Sequence, residues 1–441
     1  PLAFAADELR RYLARMSGVE IAVAPDPALP PRTLRLGAGP EVAAPTAADA
    51  FQLAPSESGI TLTGASERAV LHGVYRMLED LGCVWSFHGA AHEVVPSLPA
   101  GGARVAEARQ QPGYAVRAYV TDIHTYHYHE PEVLAARLPA DLAFTDWMGK
   151  SGANGFLFIR HPFDTDLTIP ALLPEFRRRG IAPEYGGHVL PLLLPRELFA
   201  DHPEWFPAAR DGRRHDLGNL CTASPEAMAR IAAAAVGYAR LHPEMGVLHV
   251  WGADLFDGGW CHCGACAGWS VQDQSLRVCN AVAEALAHAG LDLPVCYLAY
   301  HDTIEPDLTL APHPRVWVEF APRERCYGHA LDDAACARNA RYRESFDRHV
   351  ELFGGRARVF EYYGDAILFC GIAVPLTAVI AADLAYYHRA GAREISFLQF
   401  GAFSLWAHPL NFLEFAAQST AARGGAGAAR ARVPLGPEWE A

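Results

Sequence analysis

From residue 113 onward the chain repeats a single pattern, a short apolar segment followed by a loop and a helix. The apolar segments fall at 115–122, 155–160, 187–194, 246–251, 294–300, 316–320, 357–362 and 394–400. Between them lie helical stretches such as "PEAMARIAAAAVGYARL", "SLRVCNAVAEALAHAG" and "PLTAVIAADLAYYHRAG". Parallel strands need a crossover of a dozen or more residues, usually a helix. Eight such units are the pattern of a (β/α)8 barrel. An open doubly wound sheet is the rival, but no Gly-rich dinucleotide loop follows any of the segments. The expected fold class is α/β, a (β/α)8 TIM-like barrel over 113–425 preceded by a small α/β domain over 1–105.

The first unit reads differently. "AADELRRYLARMSG" sets Leu9, Tyr12, Leu13 and Met16 at helical spacing and stops on Gly18. "RTLRLGAG" is a short strand, and "DAFQLAPSESGITLTGAS" gives two alternating strands around a Ser-Glu-Ser-Gly turn. "ERAVLHGVYRMLEDLGCVW" is a second amphipathic helix, with Val70, Leu71, Val74, Leu78 and Leu81 on one face. The stretch "PSLPAGGARV" reads as a linker, and 426–441 as a flexible tail. The chain opens without a methionine, as a clipped sequence would.

Bulk composition excludes several classes. The formal net charge of −13 disfavours nucleic acid and anionic membrane surfaces as partners. No apolar run approaches the roughly 20 residues of a membrane span. Ten cysteines in 441 residues are too sparse for a disulfide scaffold. The compartment is left open.

In a barrel of this kind the chemistry gathers in loops at the C-terminal ends of the strands. Polar residues recur there strand after strand. Asp122 and His124 follow strand 1, His161 follows strand 2 and His188 falls at strand 3. Asp254 and Asp257 follow strand 4, and His301 and Asp302 follow strand 5. Glu319 and Arg323 stand at strand 6, and Glu361, Tyr363 and Asp365 at strand 7. A lone histidine is more often a satisfied core group; the ring of polar ends carries the inference. An apolar strand ending in Glu361 has no structural need for an inward carboxylate. Tyr362 and Tyr363 offer stacking faces or hydrogen-bond donors. Trp205 of "HPEWF" and Trp260 offer further aromatic faces beside His188 and Asp257. Arg323, Arg325 and His329 of "APRERCYGHAL" suit an anionic group, since an arginine fork matches a carboxylate.

The stretch 254–269, "DLFDGGWCHCGACAGW", holds Cys261, Cys263 and Cys266. Three soft ligands approach the four a structural zinc takes. His262, Cys279 or Cys221 are the candidates for the fourth. A disulfide among these cysteines and reduced thiols packing a tight loop are the other readings.

The run "ESGITLTGASERAVLHGVYRMLEDLGCVW" resembles the small α/β domain that precedes the barrel in alpha-glucuronidases and bacterial beta-hexosaminidases. The usual first strand of that domain would lie before Pro1. Four stretches resemble an uncharacterised glycosidase-like family of bacterial proteins: "GHVLPLLLPRELFADHPEWFPAARDGRRHDLGNLCTASPEAM", "DGGWCHCGACAGW", "RCYGHALDDAACARN" and "EYYGDAILF". The resemblance implies a general acid at the end of strand 4. Asp257, inside the matching "DGGWC" string, is the first choice and Asp254 the second. Related barrels usually place a glutamate there; this chain offers aspartates, which reach less far. The resemblance also implies a base or nucleophile from the late strands, where Glu361, Glu319 and Asp365 lie. His188, Trp205, Trp260, His301, Arg323, His329, Tyr362 and Tyr363 are the expected substrate-binding residues.

These expectations describe a glycoside hydrolase acting on a bacterial or plant glycan, with a uronic acid or another anionic sugar as a natural ligand. Catalysis by carboxylates requires no cofactor. The alternative is a non-catalytic carbohydrate-binding protein on a degenerate hydrolase barrel. A metal-dependent hydrolase using His124, His161, His188 and His301 is a third reading, although these lack a tight H-x-H spacing.

Overall fold

The computed structural model describes residues 1–23, 33–39, 48–57, 59–99, 104–121, 131–159, 169–255, 259–401 and 407–421. Helix α1 (Leu2–Ser17) buries Leu9, Tyr12 and Met16 and ends on Gly18 in the left-handed region, φ 71°. A glycine adopts that conformation without a Cβ clash, so the helix stops there. Strands β1 (Thr33–Ala38), β2 (Phe51–Ser56) and β3 (Gly59–Gly64) join one sheet, with β2 and β3 antiparallel about the Ser56–Gly59 turn. Helix α2 (Glu67–Asp80) starts on Ser66, whose hydroxyl accepts from Ala69 N. Strands β4 (Val84–Trp85) and β5 (Glu93–Val94) form a small ribbon. The sheet order is β1-β3-β2-β6, so its last strand is β6 (Ala108–Gln110), downstream of residue 105.

Eight parallel strands then close into a barrel. They are β7 (Val116–Thr121), β8 (Gly155–Ile159), β9 (Ala182–Gly187), β10 (Leu248–Val250), β11 (Val295–Ala299), β12 (Val316–Phe320), β13 (Ala357–Asp365) and β14 (Glu394–Phe400). The last of these pairs back onto β7. Helices cover the outside: α3 (Pro131–Lys150), α4 (Ile169–Arg179), α5 (Leu190–Leu193), α6 (Pro225–Leu241), α7 (Val271–His288), α8 (Ala337–Leu352), α9 (Thr377–Ala390) and α10 (Pro409–Thr420). One expected strand is displaced. The run 187–194 forms the helical turn α5, and the third strand is β9, just before it. A short apolar run cannot be told from a buried helical segment by periodicity, and Pro191 cannot donate to a central ladder. His188 therefore stands immediately beyond a strand end.

Strand alternation decides which side chains enter the lumen. On β13, Arg358 crosses the barrel to Glu184 of β9, Phe360 meets Trp251 and Tyr362 stacks on Tyr300. The intervening Glu361 and Tyr363 point outward, to Tyr387 and Asp383 of α9. The lower lumen holds a buried ion network. His249 lies 2.9 Å from Glu184 and 2.8 Å from Glu319, and Arg358 lies 3.3 Å from Glu319 and 3.4 Å from Glu394. Burial disfavours the His249 imidazolium, but its two glutamates outweigh that and raise its pKa. Burial likewise works against the Glu184 carboxylate, yet Arg358 and His249 hold its pKa down at about 2. Gly186 leaves room for this layer: its φ is 127°, and a Cβ would sit 2.1 Å from His249 O.

The first unit packs on the N-terminal end of the barrel, opposite the loops that follow the strands. Asp49 bonds Arg68 (2.7 Å), Arg117 at the start of β7 (2.5 Å) and Asn154 just before β8 (2.8 Å). Arg68 also donates to Gly180 O, just before β9, at 3.0 Å.

Candidate active site at the barrel mouth

Three strand ends deliver the site. Beyond β10 the chain passes Trp251 to Gly252, whose missing Cβ leaves room for Trp260 and Asn219, each 3.0 Å from where it would be. Asn219 Oδ1 accepts from Ala253 N at 2.6 Å, which fixes the backbone just before Asp254. Beyond β11, Tyr300 leads into a tight turn closed by Thr303, whose hydroxyl accepts from Tyr300 N and donates to Leu298 O. His301 in that turn has φ 46°, a left-handed conformation that costs a non-glycine residue free energy. Beyond β12 the turn Arg323-Glu324-Arg325 sends Arg325 into the protein, to Glu361 and Asp383, and Arg323 and Glu324 to the mouth.

The side chains meet around His301. Its Nε2 lies 3.7 Å from Asp254 Oδ1 and its Nδ1 3.2 Å from Glu324 Oε1. His188 lies 4.0 Å from Asp254 and donates from Nδ1 to Gly252 O at 2.5 Å. Arg323 lies 3.8 Å from Glu324 and donates to Asp365 at 2.8 Å, with its guanidinium 5.9 Å above the Tyr362 ring. Tyr300 and Tyr362 stack at 6.2 Å. A cleft opens here, lined by His188, Trp260, Leu298, Tyr300 and His301 among others. Asp254 is 55 % exposed and Glu324 33 %, with Glu324 Oε1, the oxygen facing His301, buried.

Burial lowers the His188 pKa despite Asp254, keeping the imidazole neutral near pH 7. Burial raises the pKa of Tyr300 and Tyr362, so both remain hydroxyl donors. Burial works against the Arg323 charge, but the bond to Asp365 outweighs it and raises the pKa.

The expected residues thus divide. Asp254, His188, Trp260, His301, Arg323, Tyr362 and Asp365 converge on the mouth. Glu319 does not: it is fully buried within the lumen, bound to His249 and Arg358. Nor does Glu361, the expected base. It faces α9, where Arg325 Nε (3.0 Å), Tyr387 (2.5 Å) and Tyr327 (3.1 Å) donate to its two oxygens. Arg325 is held there by Glu361 and Asp383, which removes it from any substrate role. The Tyr363 hydroxyl donates to Asp383 on the same outer side. Trp205 stacks on His202 at 3.9 Å, and its carbonyl accepts from Cys221 N, beside the cysteines rather than in the cleft. His329 is exposed and lies 3.3 Å from Cys326. Asp257, Asp122, His124 and His161 lie outside the described residues. Glu324 and Tyr300 were not singled out by the sequence. No period could have marked Glu324, because it lies in a turn beyond β12 rather than on a strand.

The three cysteines of the strand 4 loop are joined by Cys221. All four sulfurs lie within 4.8 Å of one another, with Cys221 3.7 Å from Cys263 and 3.9 Å from Cys266. Cys279 instead packs on α7 against Val250 O. A second group, Cys326, His329 and Cys336, follows β12.

Comparison with known proteins agrees with this architecture. No curated protein matches the sequence. Among solved structures, a GH138 enzyme targeting pectin rhamnogalacturonan II superposes with a TM-score of 0.59 at 11 % identity, covering 96 % of this chain. A GH115 4-O-methyl-alpha-glucuronidase with specificity for decorated arabinogalactans gives 0.58 at 12 % identity over 94 %. A GH20 exo beta-N-acetylglucosaminidase from Vibrio harveyi gives 0.58 at 12 % over 96 %. The chain spans 50 %, 54 % and 69 % of those three proteins. At such identity the likeness is one of fold. A family model described as "Domain of unknown function (DUF4838)" matches residues 154–400, more than half of the sequence, and the chain belongs to that family.

Proposed function

We propose that the protein is a glycoside hydrolase that cleaves a glycosidic bond by carboxylate acid–base catalysis at the barrel mouth. The observation that carries this reading is the placement of two accessible carboxylates, Asp254 and Glu324, on either side of His301 and beside the stacked tyrosines. Glycoside hydrolysis takes one carboxylic acid to protonate the leaving oxygen and a second carboxylate to attack or to activate water. Asp254, following β10, is the acid in this reading. Glu324 is the partner carboxylate, oriented by His301 and Arg323. Tyr300 and Tyr362 supply stacking faces for a sugar ring. The fold shared with GH138, GH115 and GH20 enzymes supports the class of reaction. Arg323 and His301 supply donors for a uronic acid or another anionic sugar. A panel of aryl glycosides and uronides, assayed with wild type, Asp254→Asn and Glu324→Gln, tests the reading. Release of product by wild type and its loss in both variants is expected; equal turnover by all three rules the assignment out.

A binding protein on a hydrolase barrel is the second reading. It is favoured by one observation: the two glutamates expected on the late strands, Glu319 and Glu361, are locked inside the protein. Saturable glycan binding by calorimetry, with no product on long incubation, is its signature.

A further inference from the structure

We propose that Cys221, Cys261, Cys263 and Cys266 bind one zinc ion, which staples the loop after β9 to the loop after β10. Zinc bound by four thiolates is tetrahedral with Zn–S near 2.3 Å, which sets the sulfur–sulfur edge at about 3.8 Å. Cys221 stands 3.7 Å from Cys263 and 3.9 Å from Cys266, close to that edge and far outside a disulfide bond length. Four sulfurs converge although Cys221 is some forty residues from the others in sequence, so the cluster is a tertiary arrangement rather than a local loop.

The surroundings match a thiolate centre. Ala208 N and Cys263 N donate to Cys261 Sγ at 3.4 and 3.5 Å, and Thr222 Oγ1 lies 3.7 Å from Cys266 Sγ. The Arg214 guanidinium donates to Phe206 O near the cluster and interacts favourably with Cys221, where a cation offsets the net negative charge of four thiolates on a divalent ion. Gln274 of α7 accepts from Cys261 N and donates to Cys261 O, both at 3.1 Å, fixing the backbone of the ligand.

The two loops joined here build the candidate active site. Asn219, two residues before Cys221, holds Ala253 N and so the backbone before Asp254. Asn219 N donates to Gly259 O, and His262 N donates to Ala208 O across the same seam. Gly218 and Gly259 pass so closely that a Cβ on Gly259 would lie 2.5 Å from Gly218 Cα. The ion is structural, since its four ligands leave no position for substrate. It acts on the site by holding these loops together.

The metal content is read without any substrate, so its outcome is independent of the glycosidase reading. The full chain, purified without chelator from zinc-supplemented medium, is expected to carry about one zinc. Four of its ten thiols should resist a thiol reagent until a chelator is added. Cobalt(II) in place of zinc should give the intense sulfur-to-metal charge-transfer absorption of a tetrathiolate site. Cys221→Ser should lose the metal, whereas Cys326→Ser, in the second cluster, should keep it. Hydrogen exchange on chelation should rise in 205–224 and 259–270. Less than a tenth of an equivalent of zinc with no cobalt spectrum overturns the proposal. So does a disulfide within the cluster, or metal lost through Cys326→Ser and kept in Cys221→Ser. If Cys221→Ser fails to fold, the wild-type stoichiometry and cobalt spectrum still decide the matter.

Discussion

Asp254 and Glu324 approach opposite nitrogens of one imidazole, that of His301, at 3.7 and 3.2 Å. They come from the ends of two different strands and are seventy residues apart in sequence. Substituting either carboxylate by its amide is expected to lower kcat/KM by roughly 10²–10⁴, the usual span for losing a general acid or base. Both side chains reach solvent, so stability should change by no more than about 0.5 kcal/mol. Paired kinetics and thermal melts check this; a Tm loss that accounts for the lost activity would contradict it.

Glu361 should behave in the opposite way. It is enclosed by Arg325, Tyr327 and Tyr387, so Glu361→Ala leaves a buried guanidinium short of a partner. Breaking a buried pair costs about 3–5 kcal/mol. A large drop in the denaturation midpoint is expected, with turnover per folded molecule largely retained.

His349 makes stability depend on pH on the acid side of neutrality. It is fully buried among Tyr297, Phe320 and Phe353, and burial lowers its pKa to about 4. The unfolded chain binds this proton near pH 6.5, so the folded state has full stability above that value. Stability falls as pH drops from 6.5 towards 4, by up to about 3 kcal/mol from this residue. Denaturant titrations of wild type and His349→Phe across that range should show a shallower slope in the variant; identical slopes would remove the attribution.

Asp49 and Glu184 govern the more acidic range. Burial opposes both carboxylates, but Arg117 lowers the pKa of Asp49 and Arg358 that of Glu184. Their stabilisation is full above the ordinary carboxylate range near pH 4 and is lost as pH falls through the depressed native values. Asp49→Asn should weaken acid resistance at the seam between the first unit and the barrel while leaving the glycan binding proposed for the far mouth unchanged. Acid unfolding followed by tryptophan fluorescence, with binding measured at neutral pH, separates the two effects.

Gly186→Ala is expected to be poorly tolerated, because the added Cβ would lie 2.1 Å from His249 O in a backbone conformation with φ 127°. Its soluble yield and midpoint against those of a neutral surface variant provide the check.

The legibility of this protein in its sequence follows from the range of each interaction. Hydrophobic spacing on α1 and α2, the Ser66 cap and the Gly18 stop are local, and the helices lie where the residues place them. The strand–helix alternation that specifies the barrel is likewise periodic, and the third strand was misplaced where an apolar run carried no period. His301, Arg323 and Asp254 were found because the fold class directs attention to strand ends. Glu324 and Cys221 were not fixed by any local pattern, since each acquires its role from a partner on another loop.

By itself, then, the sequence determined the architecture and the end of the barrel where the candidate site lies, because apolar periodicity dictates strands, helices and their layering. Tertiary structure alone decided which polar side chains share a cavity. On β13 a shift of one residue separates Tyr362, facing the mouth, from Glu361, sealed against α9. The side-chain period of a strand is two, and neither glutamate, Glu319 or Glu361, announces in sequence whether its neighbours will neutralise it. Only the closed barrel supplied Arg358 to one and Arg325 to the other, and left Asp254 and Glu324 in reach of solvent.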